Sequence, residues 1–450
     1  MNLPQKYLEN MKQLLDNGYQ KYCEAMLLPP VSAIRLNTLK ADEKILSEFD
    51  VKKKISFASN GYIVGSSKIG KHPYHVAGLV YSQEPSSMLS VVASELDNEE
   101  NFENIKILDL CAAPGGKTGQ IAELLDGRGV LISNEIEKSR ARVLQGNVER
   151  MGYTNVIITS AAPNVLSQYL CGQFDYVFVD APCGGEGMFR KDPATIAEWK
   201  QERLESNAKR QKEILIEADK MLKTGGKLVY STCTFSRIED EDVAEWFAGE
   251  CGYDFANLND DVCRVTTSLE NKACRRFYPF LSDGEGQFVC VMKKKSATLE
   301  QIRPFKEYVV GRSERNLIDE FVKNNFDIDF AYNVAKIGDN FCLVSQNLQN
   351  MLRFMAKIPQ INAGVTLGTI EKGRVIPHNN MFSAFGKYAK NKVDFALDDV
   401  RLGKYLHGEE LENDKSFKGF VCVCANGFSV GGARASGTSL KNLFPKGLRI

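Results

Sequence analysis

The sequence has little of what metal sites and disulfide scaffolds need. Its 450 residues include only four histidines, and its twelve cysteines contain no pair at CxxC spacing. Zinc sites and redox-active dithiols usually bring their ligands together at such short spacing. We therefore expect reduced thiols and no bound metal. Cys422 and Cys424 alternate in "GFVCVCANG", so on a strand both would lie on one face as small core residues.

Long apolar runs and an export signal are also absent. No uninterrupted apolar segment approaches the ~18 residues that cross a bilayer. The opening "MNLPQKYLEN" lacks the charged and apolar regions of a signal peptide. These absences predict a cytoplasmic protein that does not enter a membrane. With 450 residues, 43% of them hydrophobic, two or three globular domains are expected.

Net charge is zero, with 57 basic and 57 acidic residues, but its distribution is uneven. Residues 51–83 and residues 415–450 contain basic side chains and no acid. A long polyanion could bridge two such surfaces, and two solvated lysine-rich faces are the alternative. The basic residues are Lys52, Lys53, Lys54, Lys68 and Lys71 in the first stretch and Lys415, Lys418, Arg434, Lys441, Lys446 and Arg449 in the second.

Residues 104–235 alternate short apolar runs with helical patterns, which predicts a doubly wound α/β core with a parallel sheet. One helix is predicted up to Gly152, and another from Pro193 to a stop at Gly225 and Gly226. We predict four regions, with boundaries at residues 1–80, 81–295, 296–370 and 371–450, the last a small β-rich module. The predicted core strands are "KILDLC", "VLISNE", "NVIITS", "FDYVFVD" and "GKLVYSTC".

The loop "DLCAAPGGKT" ends like a phosphate-binding P-loop but is not one. The first glycine of that motif would fall at position 111, which is Cys111, and the adjacent Gly115 and Gly116 do not fit a dinucleotide fingerprint. What remains is a strand, a tight turn and a free helix N-terminus. Glu135, at the end of the next strand, is placed to accept hydrogen bonds from a ribose, or else caps the following helix. The loop therefore predicts a nicotinamide dinucleotide or S-adenosylmethionine.

Two cysteines follow neighbouring strands of the predicted sheet. Cys183 comes after the fourth strand and Cys233 ends the fifth, so both should meet Asp180 and Lys117 at one edge. A thiolate that adds to carbon 6 of cytosine makes carbon 5 nucleophilic enough to accept a methyl group. A nearby carboxyl would assist at ring nitrogen 3. The pair of thiols therefore favours cytosine methylation.

The motifs "DLCAAPGGKT", "DAPCGGEGMF" and "STCTFSRIEDE" resemble those of the Sun/Nop family of RNA (cytosine-5) methyltransferases. With "RLNTLK", "GLVYSQEPSSM" and "LKNLFPKGLR", nearly the whole chain resembles bacterial RsmF-type enzymes that act on 16S ribosomal RNA. The resemblance implies a Rossmann-like class I S-adenosylmethionine-dependent methyltransferase core, an N-terminal α/β RNA-binding extension and a C-terminal PUA-like RNA-binding module. It implies 16S RNA as the partner, free or within the small subunit, and a monomer is expected.

The resemblance also implies residue roles. Cys233 is the nucleophile, Cys183 assists breakdown of the covalent intermediate, Asp180 contacts both the cytosine and the methyl donor, and Lys117 holds the base. S-adenosylmethionine is bound with its ribose on Glu135 and with Arg140 nearby. The loop expected around its methionine part consists of Cys111, Ala112, Ala113, Pro114, Gly115, Gly116 and Lys117.

Three departures from the family pattern limit what is transferred. The third strand leads to Ser160 and two alanines where the family has an Asp that contacts adenine, so no adenine contact is assigned. Phe280 follows Pro279 where the family often has histidine, and Gln287 replaces the histidine of a Gly-Glu-Gly-His turn. Histidine is therefore a poor candidate for the base that removes the carbon 5 proton.

Two other functions compete. In a DNA cytosine-5 methyltransferase, Cys183 would be the nucleophile and Cys233 a bystander. A non-catalytic RNA-binding factor of ribosome assembly would keep the fold for binding alone. The sequence does not indicate which cytosine is modified, or how many.

Overall fold

The computed structural model describes residues 2–65, 69–295, 304 and 310–450. Lys68 and the boundary predicted near residue 296 lie outside the described residues. The described residues form four β-sheets.

The N-terminal part begins with two helices and continues with a four-stranded antiparallel sheet in the order β2-β3-β1-β4, with a third, short helix before the last strand. The helices pack against the core, where Tyr7 contacts Phe189 at 5.0 Å and Tyr22 contacts Phe235 at 5.9 Å between ring centres. The elements are α1 (Gln5–Leu15), α2 (Tyr19–Met26), β1 (Ser32–Leu36), β2 (Val51–Lys54), β3 (Gly61–Val64), α3 (Pro73–Val76) and β4 (Val80–Ser82).

The core confirms the predicted doubly wound sheet. Its central strands pair in parallel in the order β9-β8-β5-β6-β7, and their apolar side chains are buried on both faces because helices cover both sides. The elements are α4 (Leu89–Ala93), β5 (Lys106–Asp109), α5 (Gly116–Leu125), β6 (Val130–Asn134), α6 (Lys138–Met151), β7 (Val156–Thr159), α7 (Pro163–Tyr169), β8 (Phe174–Asp180), α8 (Ala194–Glu198), α9 (Arg203–Met221), β9 (Leu222–Thr232), α10 (Glu241–Cys251), β10 (Tyr253–Phe255), α11 (Asp260–Val265), β11 (Arg275–Phe277) and β12 (Gln287–Lys294).

Helix α6 ends as predicted, because Gly152 adopts the left-handed conformation (φ 79°) that stops a helix. The single helix predicted from Pro193 to Gly225 is wrong. Trp199 is extended and buries its indole against Glu186, which separates α8 from α9. Strand β9 already begins at Leu222, so Gly225 turns within the strand.

The C-terminal part forms two further sheets and adds one strand, β15, to the free edge of the core beside β7. The last sheet, of five strands, lies within the region 371–450 that was predicted as a β-rich module, and Cys422 and Cys424 are buried in it as core residues. The elements are α12 (Arg312–Asn325), β13 (Asn333–Ile337), β14 (Asn340–Val344), α13 (Gln346–Leu352), β15 (Gln360–Ala363), β16 (Val365–Glu371), β17 (Arg374–Pro377), α14 (Asn379–Phe385), β18 (Lys392–Phe395), α15 (Val400–His407), β19 (Leu411–Glu412), β20 (Phe420–Ala425), β21 (Phe428–Ser436) and β22 (Ser439–Asn442).

Candidate active site

The two predicted thiols meet at the carboxyl edge of the sheet. Strands β8 and β9 are parallel neighbours that pair Asp180 with Ser231, so the loops that follow them leave the sheet side by side. Cys183 and Cys233 are half-buried in these loops, and their Sγ atoms lie 3.3 Å apart. The expected convergence is therefore present.

Asp180 is held by three donors. Lys117 Nζ lies 2.8 Å from Oδ2, while Ser231 Oγ donates to Oδ1 at 2.8 Å and Gln287 Nε2 donates to Oδ1 at 3.1 Å. Sequence reasoning missed Ser231, although strand alternation places it on the same face as Cys233. Gln287 was noted as a departure from the family pattern without a role.

Lys117 is a buried cation that faces Asp180. Burial lowers the pKa of its ammonium group, but the charge of Asp180 and the hydrogen bond to it raise the pKa above its ordinary value. With 8% of its surface exposed, Lys117 touches solvent only slightly. It is therefore placed to orient Asp180.

Two of the cysteines in this region stay protonated near neutral pH. The hydrogen bond with Cys233, followed by burial, raises the pKa of Cys183 well above its usual value. Burial and the nearby Asp109 raise the pKa of Cys111. Since the thiolate is the reactive form, neither Cys183 nor Cys111 is activated as a nucleophile in this arrangement.

A cavity of about 690 Å³ connects the thiols to the predicted cofactor residues. Its lining includes Cys111, Ala113, Glu135, Arg140 and Asp180, besides both thiols. Glu135 is buried, and its carboxylate accepts the Glu137 N–H at 3.0 Å and pairs with Arg140 at 3.2 Å. It therefore lines the cavity and also shapes the start of α6.

The loop of residues 111–117 is held from outside by α6. Arg140 donates to the Ala113 carbonyl and Asn147 to the Pro114 carbonyl, each at 2.9 Å. Gly115 has a φ of 114°, and a β-carbon there would lie 3.0 Å from a methyl group of Leu144. Arg140 was predicted near the cofactor, but the sequence gave no signal for Asn147.

A second cavity, of about 610 Å³, lies at the opposite edge of the sheet, next to the turns that lead into β6 and β7. Lys40, Arg128, Phe330 and Tyr388 are among its lining residues, and the catalytic candidates are not. Cavity size alone therefore does not identify the site.

The two basic stretches differ in the structure. Lys52, Lys53 and Lys54 each pair with a carboxylate from outside residues 51–83, at 2.6, 2.5 and 3.2 Å. Within the described part of the chain, the six basic residues of 415–450 form no ion pair. The C-terminal module therefore presents the less neutralised cationic surface.

No helix in the described ranges combines the length and the apolar character needed to span a bilayer.

Three family models match successive parts of the chain. The N-terminal domain of 16S rRNA methyltransferase RsmF matches residues 3–85, 16S rRNA methyltransferase RsmB/F matches residues 94–293, and the RsmF PUA domain matches residues 392–450. The order of the matches follows the order of the sheets.

The chain is 31% identical over 440 residues to the ribosomal RNA small subunit methyltransferase F of Shewanella woodyi, covering 92% of this chain and 90% of that protein. The protein of the same name from Shewanella sp. strain MR-4 is 29% identical over 100% of this chain and 97% of its own. A methyltransferase homologue from Pyrococcus horikoshii shares the fold with a TM-score of 0.55 and 28% identity, over 64% of this chain and 93% of its own.

Fold and family models together define a methyltransferase with a Rossmann-like core and an RNA-binding PUA module. The chain belongs to the ribosomal RNA small subunit methyltransferase F family.

Proposed function

We propose that this protein methylates carbon 5 of cytosine in 16S ribosomal RNA, with S-adenosylmethionine as the methyl donor and a covalent adduct between Cys233 and carbon 6. The observation that carries the proposal is the pair of thiols 3.3 Å apart beside Asp180, in one cavity with Glu135. Methylation of cytosine carbon 5 needs a nucleophile for carbon 6 and a carboxyl group for the base, and this cavity brings both together with the predicted cofactor residues.

The residues divide the chemistry between them. The Cys233 thiolate forms a bond to carbon 6, and electron density moves to carbon 5, which becomes an enamine carbon. Asp180, oriented by Lys117, Ser231 and Gln287, acts in its carboxylic acid form: it donates a hydrogen bond or its proton to ring nitrogen 3, so that negative charge does not build up on the base. After the methyl group has bonded to carbon 5, the carbon 5 proton passes to a base, the electron pair of that C–H bond restores the ring double bond and expels Cys233 as a thiolate, and Cys183 is the adjacent group that assists this step.

The cavity fits S-adenosylmethionine. Its volume of about 690 Å³ lies within the roughly 300–1,000 Å³ of small-molecule sites. The Glu135 carboxylate would accept the ribose hydroxyls, and Cys111 and Ala113 would line the methionine end. When bound there, S-adenosylmethionine supplies the methyl group.

RNA as substrate is supported by the family of the chain and by the exposed cations of the PUA module. Because the thiols lie in a cavity, the target cytosine must leave its base stack to reach Cys233. Recognition of 16S RNA follows from the relatives rather than from a particular residue.

The alternative with Cys183 as nucleophile is disfavoured because the "STC" motif at Cys233 is present and the chain belongs to an RNA methyltransferase family with basic stretches in both terminal parts. A purely RNA-binding function is disfavoured because Lys117 contacts Asp180, Cys183 contacts Cys233, and Asp180 and both thiols line one cavity.

Cysteine substitutions test the chemistry. Cys233→Ala should abolish the denaturation-resistant protein–RNA adduct together with methylation, because no nucleophile remains. Cys183→Ala should form the adduct and release it slowly, so the adduct accumulates on gels with labelled RNA. Cys263→Ala, at a half-buried thiol on α11, is the matched control. The reverse pattern would assign the nucleophile to Cys183.

The substrate is tested separately by bisulfite sequencing of ribosomal RNA from cells with and without the gene. A methylated cytosine of 16S RNA should disappear in the deletion strain. An unchanged 16S pattern would refute this substrate while leaving the chemistry intact.

A further inference from the structure

Each of the two loops that carry the thiols places a glutamate carboxylate against the backbone of the other loop. In the loop after β8, the Gly184 N–H donates to Glu239 Oε2 at 3.1 Å. In the loop after β9, the Phe235 N–H donates to Glu186 Oε2 at 2.9 Å. Each loop therefore supplies one glutamate and one backbone donor to the other, and we call this pair of bonds the reciprocal clamp.

Each glutamate of the clamp also accepts a hydrogen bond from a side chain outside the two loops. Trp199 Nε1 donates to Glu186 Oε1 at 2.8 Å, and Gln211 Nε2 donates to Glu239 Oε2 at 2.9 Å. The Gly187 N–H also donates to the Cys233 carbonyl at 2.8 Å. Bonds from α9 and from the segment that precedes it therefore fix each glutamate before it holds the opposite loop.

Both glutamates are almost completely buried, at 3% exposure for Glu186 and 0% for Glu239. Burial raises the pKa of both carboxyl groups, to about 7 for Glu239, where the neighbouring Glu186 contributes. Burying two carboxylates side by side opposes folding, and apolar side chains of the same size would cost less. A gain in folding stability therefore does not explain why two glutamates are buried here. The need to fix the distance between the two loops does explain it.

The loops are also packed backbone to backbone. A β-carbon on Gly187 would lie 3.0 Å from the Cys233 carbonyl oxygen, and one on Gly184 would lie 3.0 Å from Glu239 Oε1. Small displacements of either glutamate therefore change the position of a thiol directly.

We propose that Glu239 and Glu186 are positioning residues with separate tasks: Glu239 holds Cys183 in place for adduct breakdown, and Glu186 holds Cys233 in place for attack on the base. The division follows from the bonds, because Glu239 contacts the backbone next to Cys183 and Glu186 contacts the segment that follows Cys233. The inference rests on the proposed function.

Neutral, equally sized substitutions separate the two tasks. In Glu239→Gln, one acceptor oxygen becomes an NH₂ group and the charge is lost, so the Gly184 bond weakens and Cys183 moves away from Cys233. At pH 8 and above, where Glu239 is ionised, the adduct should form at the normal rate and decay more slowly, by roughly tenfold or more for a lost charged hydrogen bond. In Glu186→Gln, adduct formation should slow by a similar factor, with no accumulation.

The experiment is single-turnover methylation of a 16S RNA fragment by the full-length protein, with adduct and product followed in the same samples. In steady-state assays of the same proteins, KM for S-adenosylmethionine should stay unchanged in both variants, since the loop of residues 111–117 is not part of the clamp, while kcat falls. Glu250→Gln, an exposed glutamate on α10, is the matched control. A general loss of structure would instead raise KM and lower the melting temperature.

Two outcomes overturn the inference: both variants slow the same step, or both match the wild type. If the Gln variants do not fold, Gln211→Met and Trp199→Phe remove the second donor of Glu239 and of Glu186, and the same split is expected. If Cys233→Ala still forms the adduct, the proposed function itself fails. If the cysteine variants behave as expected and the glutamate variants do not, only the clamp fails.

Discussion

Asp109 is a buried carboxyl at the end of β5, shortly before the loop of residues 111–117. It is fully buried, and Thr118 Oγ1 donates to its Oδ2 at 2.7 Å. Burial raises its pKa to about 7. Near neutral pH, Asp109 is therefore still partly protonated, whereas an exposed aspartate is ionised.

Asp109→Asn should change how stability depends on pH. As pH rises from about 4, the unfolded chain loses the Asp109 proton first, so the native protein loses stability until about pH 7. Asparagine stays neutral and avoids this loss. At pH 4 the variant and the wild type should have nearly the same melting temperature. At pH 8 the variant should melt at a higher temperature, and its unfolding free energy should be larger by up to about 4 kcal/mol.

Thermal unfolding of both proteins at pH 4, 6 and 8 measures the difference, with the exposed Asp97→Asn as control. A constant difference between Asp109→Asn and wild type across this range would show that Asp109 ionises normally.

For individual residues, the sequence predicted the contacts between side chains at the ends of neighbouring strands. It did not predict contacts with side chains from distant parts of the chain. Cys183, Cys233 and Asp180 follow parallel neighbours, so their convergence follows from the topology. Gln287 reaches Asp180 from β12, an antiparallel strand 107 residues later, and no local pattern reports where that strand inserts.

Helix α6 joins the loop of residues 111–117 to the two flanking parts of the chain. It holds the loop through the side chains of Arg140 and Asn147, while its last carbonyls accept hydrogen bonds from other regions. Asn37 donates to the Met151 carbonyl at 3.0 Å and Asn380 to the Glu149 carbonyl at 3.0 Å. Carbonyls that a helix end leaves unpaired are thus satisfied by the N-terminal extension and the C-terminal part.

Asn147→Ala should weaken cofactor binding. The substitution removes the donor to the Pro114 carbonyl and frees the loop, while alanine preserves the helix. A lost hydrogen bond of about 1 kcal/mol corresponds to a roughly fivefold rise in Kd for S-adenosylmethionine. Isothermal titration of the full chain measures this rise, and Arg142→Ala, exposed on the same helix, should leave Kd unchanged. Equal Kd values for both variants would mean that α6 does not hold the loop.

Helical periodicity predicted α6 because Ala141, Leu144 and Val148 face the core at regular spacing. It failed after Pro193, where the polar pattern continues but Trp199 turns inward to reach Glu186. A tertiary contact therefore overrides local helix propensity at that point.

In the whole molecule, the two ends of the chain share one hydrophobic core. Side chains of β1 and β3 pack with those of α15 and β20, and Tyr74 contacts Phe428 at 5.6 Å. Asn426 donates to the Tyr74 hydroxyl at 3.2 Å across 352 residues of sequence. The sequence predicted both regions but not their contact, because nothing in local periodicity encodes a pairing at such separation.

The C-terminal sheet places two cations directly opposite each other. Arg434 on β21 pairs with Lys441 on β22 in the antiparallel register, and both side chains are exposed. Like charges that lie directly opposite each other on neighbouring strands destabilise a sheet. A bound anion would reduce the repulsion between Arg434 and Lys441. The pair therefore favours contact with RNA phosphates.

The double substitution Arg434→Ser and Lys441→Ser should weaken RNA binding and reduce its salt dependence. Losing two phosphate contacts should lower the slope of log K against log salt by roughly 1.5. Fluorescence anisotropy of a labelled 16S RNA fragment at several salt concentrations measures this slope. Lys372→Ser with Arg374→Ser removes the same charge from the exposed turn between β16 and β17 and should change the slope less. Equal slopes for the two double variants would show that the RNA does not contact the β21–β22 face, and that net charge alone accounts for the attraction.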